Sequence, residues 1–365
     1  MGRAALGVGV IGYGWISRAH AHALHTLNHI QPLDRPVRLV SIAGRRPEPL
    51  AVAAAELGFE RSTTSWEELV ADPEVDVVAN LLAVEGHAGP TLAALAAGKP
   101  VLCEKPLGVD AAEARSMWRA AEDAGVTHAV GFNYRYLPAV ALAKELLDAG
   151  RLGELRHYRA LYLQDYASAG GQERSSGGAG AVLDYAHLVD MLRFLVGDPE
   201  AVSATTSKLV SEVDDAYVAL FEFAQNLVAA LEASRVATGW KGRHRFELNG
   251  SGGALWWDME DPNRLHVFLT EDEQEGLGGF RDVLVTQPGH PYLHQWWPPG
   301  HVLGWEHGFV HQWRDFLVAV LEERPVSPRQ ASFEDGYRAA VLCEAVYTAA
   351  REGRRIAIAE TAAAM

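Results

Sequence analysis

Cysteine is nearly absent. The chain of 365 residues has two, Cys103 and Cys343. That excludes a disulfide framework and fits a reducing compartment. No apolar run reaches the ~20 residues that span a bilayer. The apolar stretch Leu6–Ile11 near Arg3 is too short for a secretory core and is needed as a strand. A cytoplasmic location and no membrane partner are therefore expected. Positive charge is in deficit, with 32 Lys and Arg against 47 Asp and Glu, a formal charge of −15. A nucleic-acid partner is excluded, because phosphate neutralisation needs clustered Lys and Arg. No internal repeat is apparent. The hydrophobic content of 48% is ordinary for a globular protein, and the length allows two domains with their own cores.

What is present begins with a glycine turn. The run Gly9-Val10-Ile11-Gly12-Tyr13-Gly14-Trp15-Ile16-Ser17 reads as strand, sharp turn and helix start. In a dinucleotide fingerprint the first glycine makes the turn and the second lets backbone N–H groups approach a pyrophosphate. The helix N-terminus then faces that anion. Ser17 stands where the third glycine falls and is small enough for the strand–helix contact. The candidate cofactor residues here are Gly12, Gly14, Trp15 and Ile16. The helix after them carries His22, His25 and His29 on one face. With no nearby carboxylate or cysteine, that face reads as solvated or cofactor-flanking, and no metal is expected.

The second strand, Val37–Ala43, ends in Gly44-Arg45-Arg46. An acidic residue there would bind the ribose hydroxyls of NAD. Its absence removes repulsion of a 2′-phosphate, and two guanidiniums can pair with one. NADP is favoured over NAD; otherwise both arginines are solvated, with one stacked on adenine. Further strands are expected at Val75–Leu82, Pro100–Cys103 and Thr127–Phe132. Helices are expected at Trp15–Leu27, Glu48–Leu57, Thr91–Ala97 and Asp110–Ala124. This alternation means a doubly wound parallel sheet, with ligands at the carboxyl ends of its strands. Leu82–His87, Glu104–Pro106 and Asn133–Arg135 fall there.

Several segments together resemble the Gfo/Idh/MocA family of NAD(P)-dependent oxidoreductases, which act mostly on sugars and cyclitols. They are the glycine turn with His20, the run Ala97–Pro106 ending Glu104-Lys105-Pro106, Asn133-Tyr134-Arg135-Tyr136 with Pro138, and Asp184-Tyr185-Ala186-His187-Leu188-Val189-Asp190. The resemblance implies that Lys105 is catalytic, that Asp184 and His187 act at the substrate, and that Asn133 and Arg135 line the site with Tyr134 between them. Leu82, His87 and Glu104 are carried as cofactor-side positions. There are two departures. Asp184 and His187 are three apart rather than four, and Leu82-Ala83 replaces the usual Thr-Pro.

The chemistry agrees. Oxidising a secondary alcohol releases a hydride to nicotinamide and a proton to a base. The histidine pKa near ~6.5 suits His187 as that base. A lysine beside a cationic cofactor can hold the substrate oxygen or exchange its proton. Asp184 can orient the histidine or bond a neighbouring hydroxyl.

The fold expected is a Rossmann domain over residues 1–132 (α/β), then residues 133–365 as an α+β substrate-binding and oligomerisation domain. The second domain should hold a large, mostly antiparallel open sheet. Its strands are expected at Leu155–Gln164, Val202–Val210, Asp215–Phe223, Leu227–Ser234, Arg243–Asn249, Gly253–Asp258 and Leu265–Leu269. The free face of that sheet should bury against another copy, as a homodimer or homotetramer. A continuous helix, Ala181–Val196, should carry Asp184 and His187 on one face. Thr270–Asp282 reads as an exposed acidic loop, and the Gly/Ser-rich Ala169–Gly180 as a loop near the site. Gln164 is a candidate for a sugar hydroxyl. Pro288–His307 is rich in aromatics and histidine, as carbohydrate binding requires, with Trp305 and His307 its candidates. The same loop could instead be a lid or interface packed on its own aromatics. The function expected is hydride transfer between a nicotinamide and a ring carbinol of a pyranose, pyranoside or cyclitol. A non-catalytic sugar sensor and an NAD-dependent glycosidase remain as alternatives.

Overall fold

The computed structural model describes residues 5–168, 179–224 and 227–363. They form two compact units, one running through Asn133 and taking in Trp305–Arg338, the other holding Tyr134–Gly304 and the chain from Ala339 onward. No helix among the described residues is long and apolar enough to cross a membrane.

The first unit is built on β1 (Leu6–Ile11), β2 (Val37–Ala43), β3 (Arg61–Thr63), β4 (Val77–Asn80), β5 (Val101–Cys103) and β6 (His128–Val130). Among the described residues these pair in the order β3-β2-β1-β4-β5-β6, all parallel. This is the doubly wound sheet expected. Every residue of β1, β4 and β5 is buried, which is why these strands read as unbroken apolar runs. Between them come α1 (Trp15–Ile30), α2 (Pro47–Leu57), α3 (Trp66–Ala71), α4 (Ala88–Ala96) and α5 (Ala111–Ala124). The Ser65 hydroxyl caps α3 by accepting from the Glu68 amide, and Asp110 caps α5 by accepting from Glu113. Gly58 and Gly125 close α2 and α5 in the left-handed conformation. Helix α4 begins at Ala88 rather than Thr91, because Pro90 sits in its first turn, where no amide is needed. The three residues of β3 carry no strand signal of their own and are held by pairing to β2.

The second unit begins with α6 (Pro138–Asp148), β7 (Leu155–Leu163), α7 (Ala181–Asp184) and α8 (His187–Leu195). Then follow β8 (Ala201–Ser207), β9 (Ala216–Glu222), β10 (Val228–Ser234), β11 (Arg243–Gly250), β12 (Gly253–Asp258), β13 (Arg264–Leu269), β14 (Arg281–Leu284) and β15 (Ile356–Ala357). Among the described residues these strands make one sheet, β14-β13-β12-β11-β7-β10-β9-β8-β15. It is antiparallel throughout except where β10 runs parallel to β7. Burial alternates along β9, β10 and β11, so one face is a core and the other is not. Helices α9 (His307–Leu321) and α10 (Phe333–Glu352) follow the aromatic segment.

Two expectations are corrected here. Ala181–Val196 is not one helix: Tyr185 and Ala186 separate α7 from α8. The start of α7 is pinned instead, with the Ala181 and Val182 amides donating to the Asp214 carbonyl and carboxylate. Thr270–Asp282 is not a plain loop either. It holds a 3₁₀ turn at Thr270–Glu275 and then enters β14, whose Arg281–Leu284 pairs with β13. The Gly/Ser-rich stretch expected near the site lies, over residues 169–178, outside the described residues.

Candidate active site

The glycine turn is built for a phosphate. Gly12 has φ of +109°, and a Cβ there would meet the Leu81 carbonyl at 2.8 Å. Its amide donates to the Ala43 carbonyl, and its own carbonyl accepts from the Ser17 hydroxyl at 3.0 Å. Ser17 thus replaces the third glycine with a bond that closes the turn. A Cβ on Gly14 would meet nothing within 4 Å, and no side chain caps α1. The start of α1 therefore has room beside Gly14 and no side-chain cap, as a bound pyrophosphate requires. The residues present fit a dinucleotide. Trp15 is 60% exposed and stacks on Trp305 at 6.0 Å between ring centroids; Ile16 is half-buried beside it. At the end of β2 the Tyr13 ring lies over Gly44, where a Cβ would come within 2.3 Å of it. Arg45 and Arg46 are both exposed there, and Arg46 Nε donates to the Tyr13 hydroxyl at 3.3 Å.

The segment after β5 is fixed from two sides. The Glu104 side chain is buried, with Oε1 3.0 Å from His20 Nε2 and Oε2 accepting from the Lys105 amide at 3.0 Å. Gly131 makes room for that carboxylate, since a Cβ there would lie 2.6 Å from Oε1. On the other side His87 is fully buried. Its Nδ1 lies 2.9 Å from the Pro106 carbonyl and its Nε2 3.0 Å from the Leu82 carbonyl. Both nitrogens face acceptors, so the ring donates twice as imidazolium. Burial opposes that charge, but the Cys103 sulfur and the Leu82 and Pro106 carbonyls outweigh it and raise the pKa from 6.5 to about 9. The His87 side chain is therefore spent on backbone and ties the Leu82 loop to the Lys105-Pro106 step. The Lys105 side chain itself is half-buried. Asn133 is buried, with its amide nitrogen left without a hydrogen-bond partner among the described residues. Trp305 and His307 also belong to this first unit. Trp305 packs edge-on against Phe309, and His307 Nδ1 lies 3.3 Å from Glu306.

The other candidates lie in the second unit. His187 opens α8, almost wholly buried, with the Tyr134 ring edge-on to it at 4.7 Å. The Tyr134 hydroxyl is bonded to that of Tyr162 at 2.8 Å. Asp184 ends α7, and its carboxylate accepts from the Tyr166 hydroxyl at 2.5 Å. Burial raises the Tyr166 pKa and the Asp184 charge adds to that, so Tyr166 stays a donor. Gln164 donates to the Lys241 carbonyl at 3.1 Å. Arg135 is buried, its guanidinium lying against Asp190 with Nε donating at 2.9 Å and its face over Phe194. Arg135 is thereby committed to the interior rather than displayed to a ligand.

Two residues here were missed in the sequence. Tyr166 stands two positions past Gln164, and only its contact with Asp184 gives it a role. His244 had no local signal at all. The β7–β11 register sets it opposite Tyr162, where the rings stack at 4.9 Å, and Tyr134 meets it edge-on at 4.7 Å. Burial holds its pKa down to about 3, so it is a neutral ring.

A parallel doubly wound sheet with an open glycine turn, beside a unit built on a broad mixed sheet, defines a two-part nicotinamide-dependent oxidoreductase. Residues 6–132 match the oxidoreductase family with an NAD-binding Rossmann fold, and residues 140–256 match the GFO/IDH/MocA C-terminal domain. The chain belongs to the GFO/IDH/MocA family. It is 35% identical over 380 aligned positions to levoglucosan dehydrogenase of Pseudarthrobacter phenanthrenivorans, covering 94% of this chain and 96% of that protein. A solved levoglucosan dehydrogenase in complex with NADH and levoglucosan superposes with a TM-score of 0.92 at 34% identity, covering 97% of this chain and 99% of the other. An oxidoreductase domain protein from Kribbella flavida also superposes with a TM-score of 0.92, at 39% identity over 97% and 99%.

Proposed function

We infer that this chain moves a hydride between a nicotinamide dinucleotide and a ring carbinol of a pyranose, pyranoside or cyclitol. The observation that carries the reading is the carboxyl end of one parallel sheet, which bears both a glycine turn suited to a phosphate and a lysine whose backbone is held on either side. Full-length similarity to levoglucosan dehydrogenase supports the substrate class. When bound, the nicotinamide supplies a hydride acceptor or donor at its C4. Lys105 donates to the substrate oxygen whose carbon loses or gains the hydride. His187 takes the hydroxyl proton in the oxidative direction and returns it in the reductive one. Asp184, steadied by Tyr166, accepts from a neighbouring hydroxyl. The Asn133 amide, without a partner among the described residues, and the half-buried Trp305 serve the sugar as well.

The cofactor we propose is NADP in preference to NAD. Support comes from the missing carboxylate after β2 and from two exposed guanidiniums in its place. We also propose a homodimer or homotetramer through the outer face of the large sheet. Val218, Leu220 and Val228 stand there 47%, 49% and 47% exposed on adjacent strands. The two cysteines are free and buried, as a cytoplasmic location would keep them.

Titration with NADH and NADPH, then turnover on levoglucosan and myo-inositol, tests the reading. Lys105→Ala should lower kcat by ~10²–10⁴ with cofactor affinity nearly unchanged. Wild-type turnover in that variant would refute the role of Lys105. Replacing Arg45 and Arg46 by Ala should weaken NADPH far more than NADH. Equal losses would mean that these arginines do not read a phosphate.

A further inference from the structure

His20 is fully buried. Trp313, on α9, directs its indole nitrogen at His20 Nδ1 at 2.9 Å, with the two rings perpendicular. Phe309, one turn earlier on the same helix, lies edge-on to the imidazole at 5.0 Å. The other ring nitrogen, Nε2, lies 3.0 Å from Glu104 Oε1. An indole N–H can only donate, so Nδ1 must carry the lone pair. The ring proton is then on Nε2 and points at Glu104. The second oxygen of that carboxylate holds the Lys105 amide.

We propose that Trp313 and His20 are positioning residues that set the place of Lys105 through Glu104, with Trp313 holding the His20 ring so that its Nε2 proton meets the carboxylate. The proposal rests on the reading of Lys105 as the residue that serves the substrate oxygen. Without the indole, His20 Nδ1 is a buried acceptor with no donor, and that side of the ring is no longer held. A ring that tilts to satisfy that nitrogen carries its Nε2 proton away from Glu104 Oε1. Glu104 would rotate away, and the Lys105 amide would lose its acceptor. A misplacement of about an ångström at a reacting group costs on the order of 10²-fold in rate. The sequence gives no hint of this arrangement, because Trp313 and His20 are far apart along the chain and neither lies in a recognised motif with the other.

The experiment uses the full-length protein and four variants: Trp313→Phe, His20→Leu, His20→Gln and Lys105→Ala. Turnover on levoglucosan and myo-inositol is measured with NADH and NADPH dissociation constants and the melting temperature. Nitrogen spectra of histidine-labelled protein report the tautomer directly, independently of activity. Trp313→Phe keeps the aromatic packing but removes the donor. It and His20→Leu should lower kcat about 10–100-fold, with cofactor dissociation constants within about twofold of wild type. His20→Gln should restore most of the rate, because its carboxamide can accept from the indole and donate to Glu104. The wild-type spectrum should show His20 protonated on Nε2 with Nδ1 accepting a hydrogen bond, and in Trp313→Phe the Nδ1 signal should move to that of a nitrogen with no donor. Wild-type kcat in Trp313→Phe and His20→Leu, beside an inactive Lys105→Ala, would overturn the proposal. So would a His20→Gln no better than His20→Leu, or a His20 protonated on Nδ1. Full turnover in Lys105→Ala would instead overturn the functional reading beneath it, so the two failures are told apart.

Discussion

Arg135 offers the sharpest test of where the ligand-binding surface ends. The sequence placed it at the substrate, whereas the fold turns its guanidinium inward against Asp190. Both side chains are 2% exposed. Replacing Asp190 by Asn, or Arg135 by Met, leaves one charge buried with its partner gone. Breaking a buried pair in this way costs ~3–5 kcal/mol. For a unit of this size each kcal/mol lowers the melting temperature by ~2–4 °C, so each single variant should melt ~6–20 °C early. The pair of replacements Arg135→Met with Asp190→Leu should recover most of that loss, because neither ion is then left alone in the interior. Scanning calorimetry and urea denaturation read both effects, and steady-state kinetics on the surviving protein read the site. An Asp190→Asn variant melting within about 2 °C of wild type, with the sugar KM raised, would refute the reasoning and return Arg135 to the substrate.

Two further predictions concern the first unit. His87 has its pKa raised above the unfolded value, so its contribution to stability is complete below about pH 6.5 and is lost as pH climbs through about 9. The loss is of order ~3 kcal/mol, and urea midpoints across that range should show it in wild type and not in His87→Gln. Gly131→Ala puts a methyl group 2.6 Å from Glu104 Oε1 and should cost ~1–3 kcal/mol while slowing turnover as His20→Leu does. Unchanged stability and rate in Gly131→Ala would mean that the carboxylate is not tightly seated.

Much of the first unit was legible locally. Its strands β1, β4 and β5 are buried on both faces and read as buried runs, and its helices are punctuated by Ser65, Asp110, Gly58 and Gly125. The glycine turn was legible because backbone conformation is a property of neighbours in the chain. The failures share a different cause. Strand β14 has four residues and gains its identity from β13, not from its composition. The helix breaks at Tyr185 and Ala186, and the short α7 before the break is held at its first amides by Asp214, about thirty residues away. No helical periodicity within Ala181–Val196 could register a partner that distant.

The same division holds for the chemistry. By itself the sequence determined the family and the doubly wound parallel class of the first sheet. These depend on residue type and short-range spacing. The tertiary structure alone decided what each polar group is spent on. It turned Arg135 into an interior ion pair, exhausted His87 on two carbonyls, and gave Asp184 its hydroxyl partner in Tyr166. It also assembled Trp313, His20 and Glu104 around the Lys105 amide. A buried polar group must find its partner in space, and which partner it finds is set by packing and strand register rather than by its neighbours in the chain.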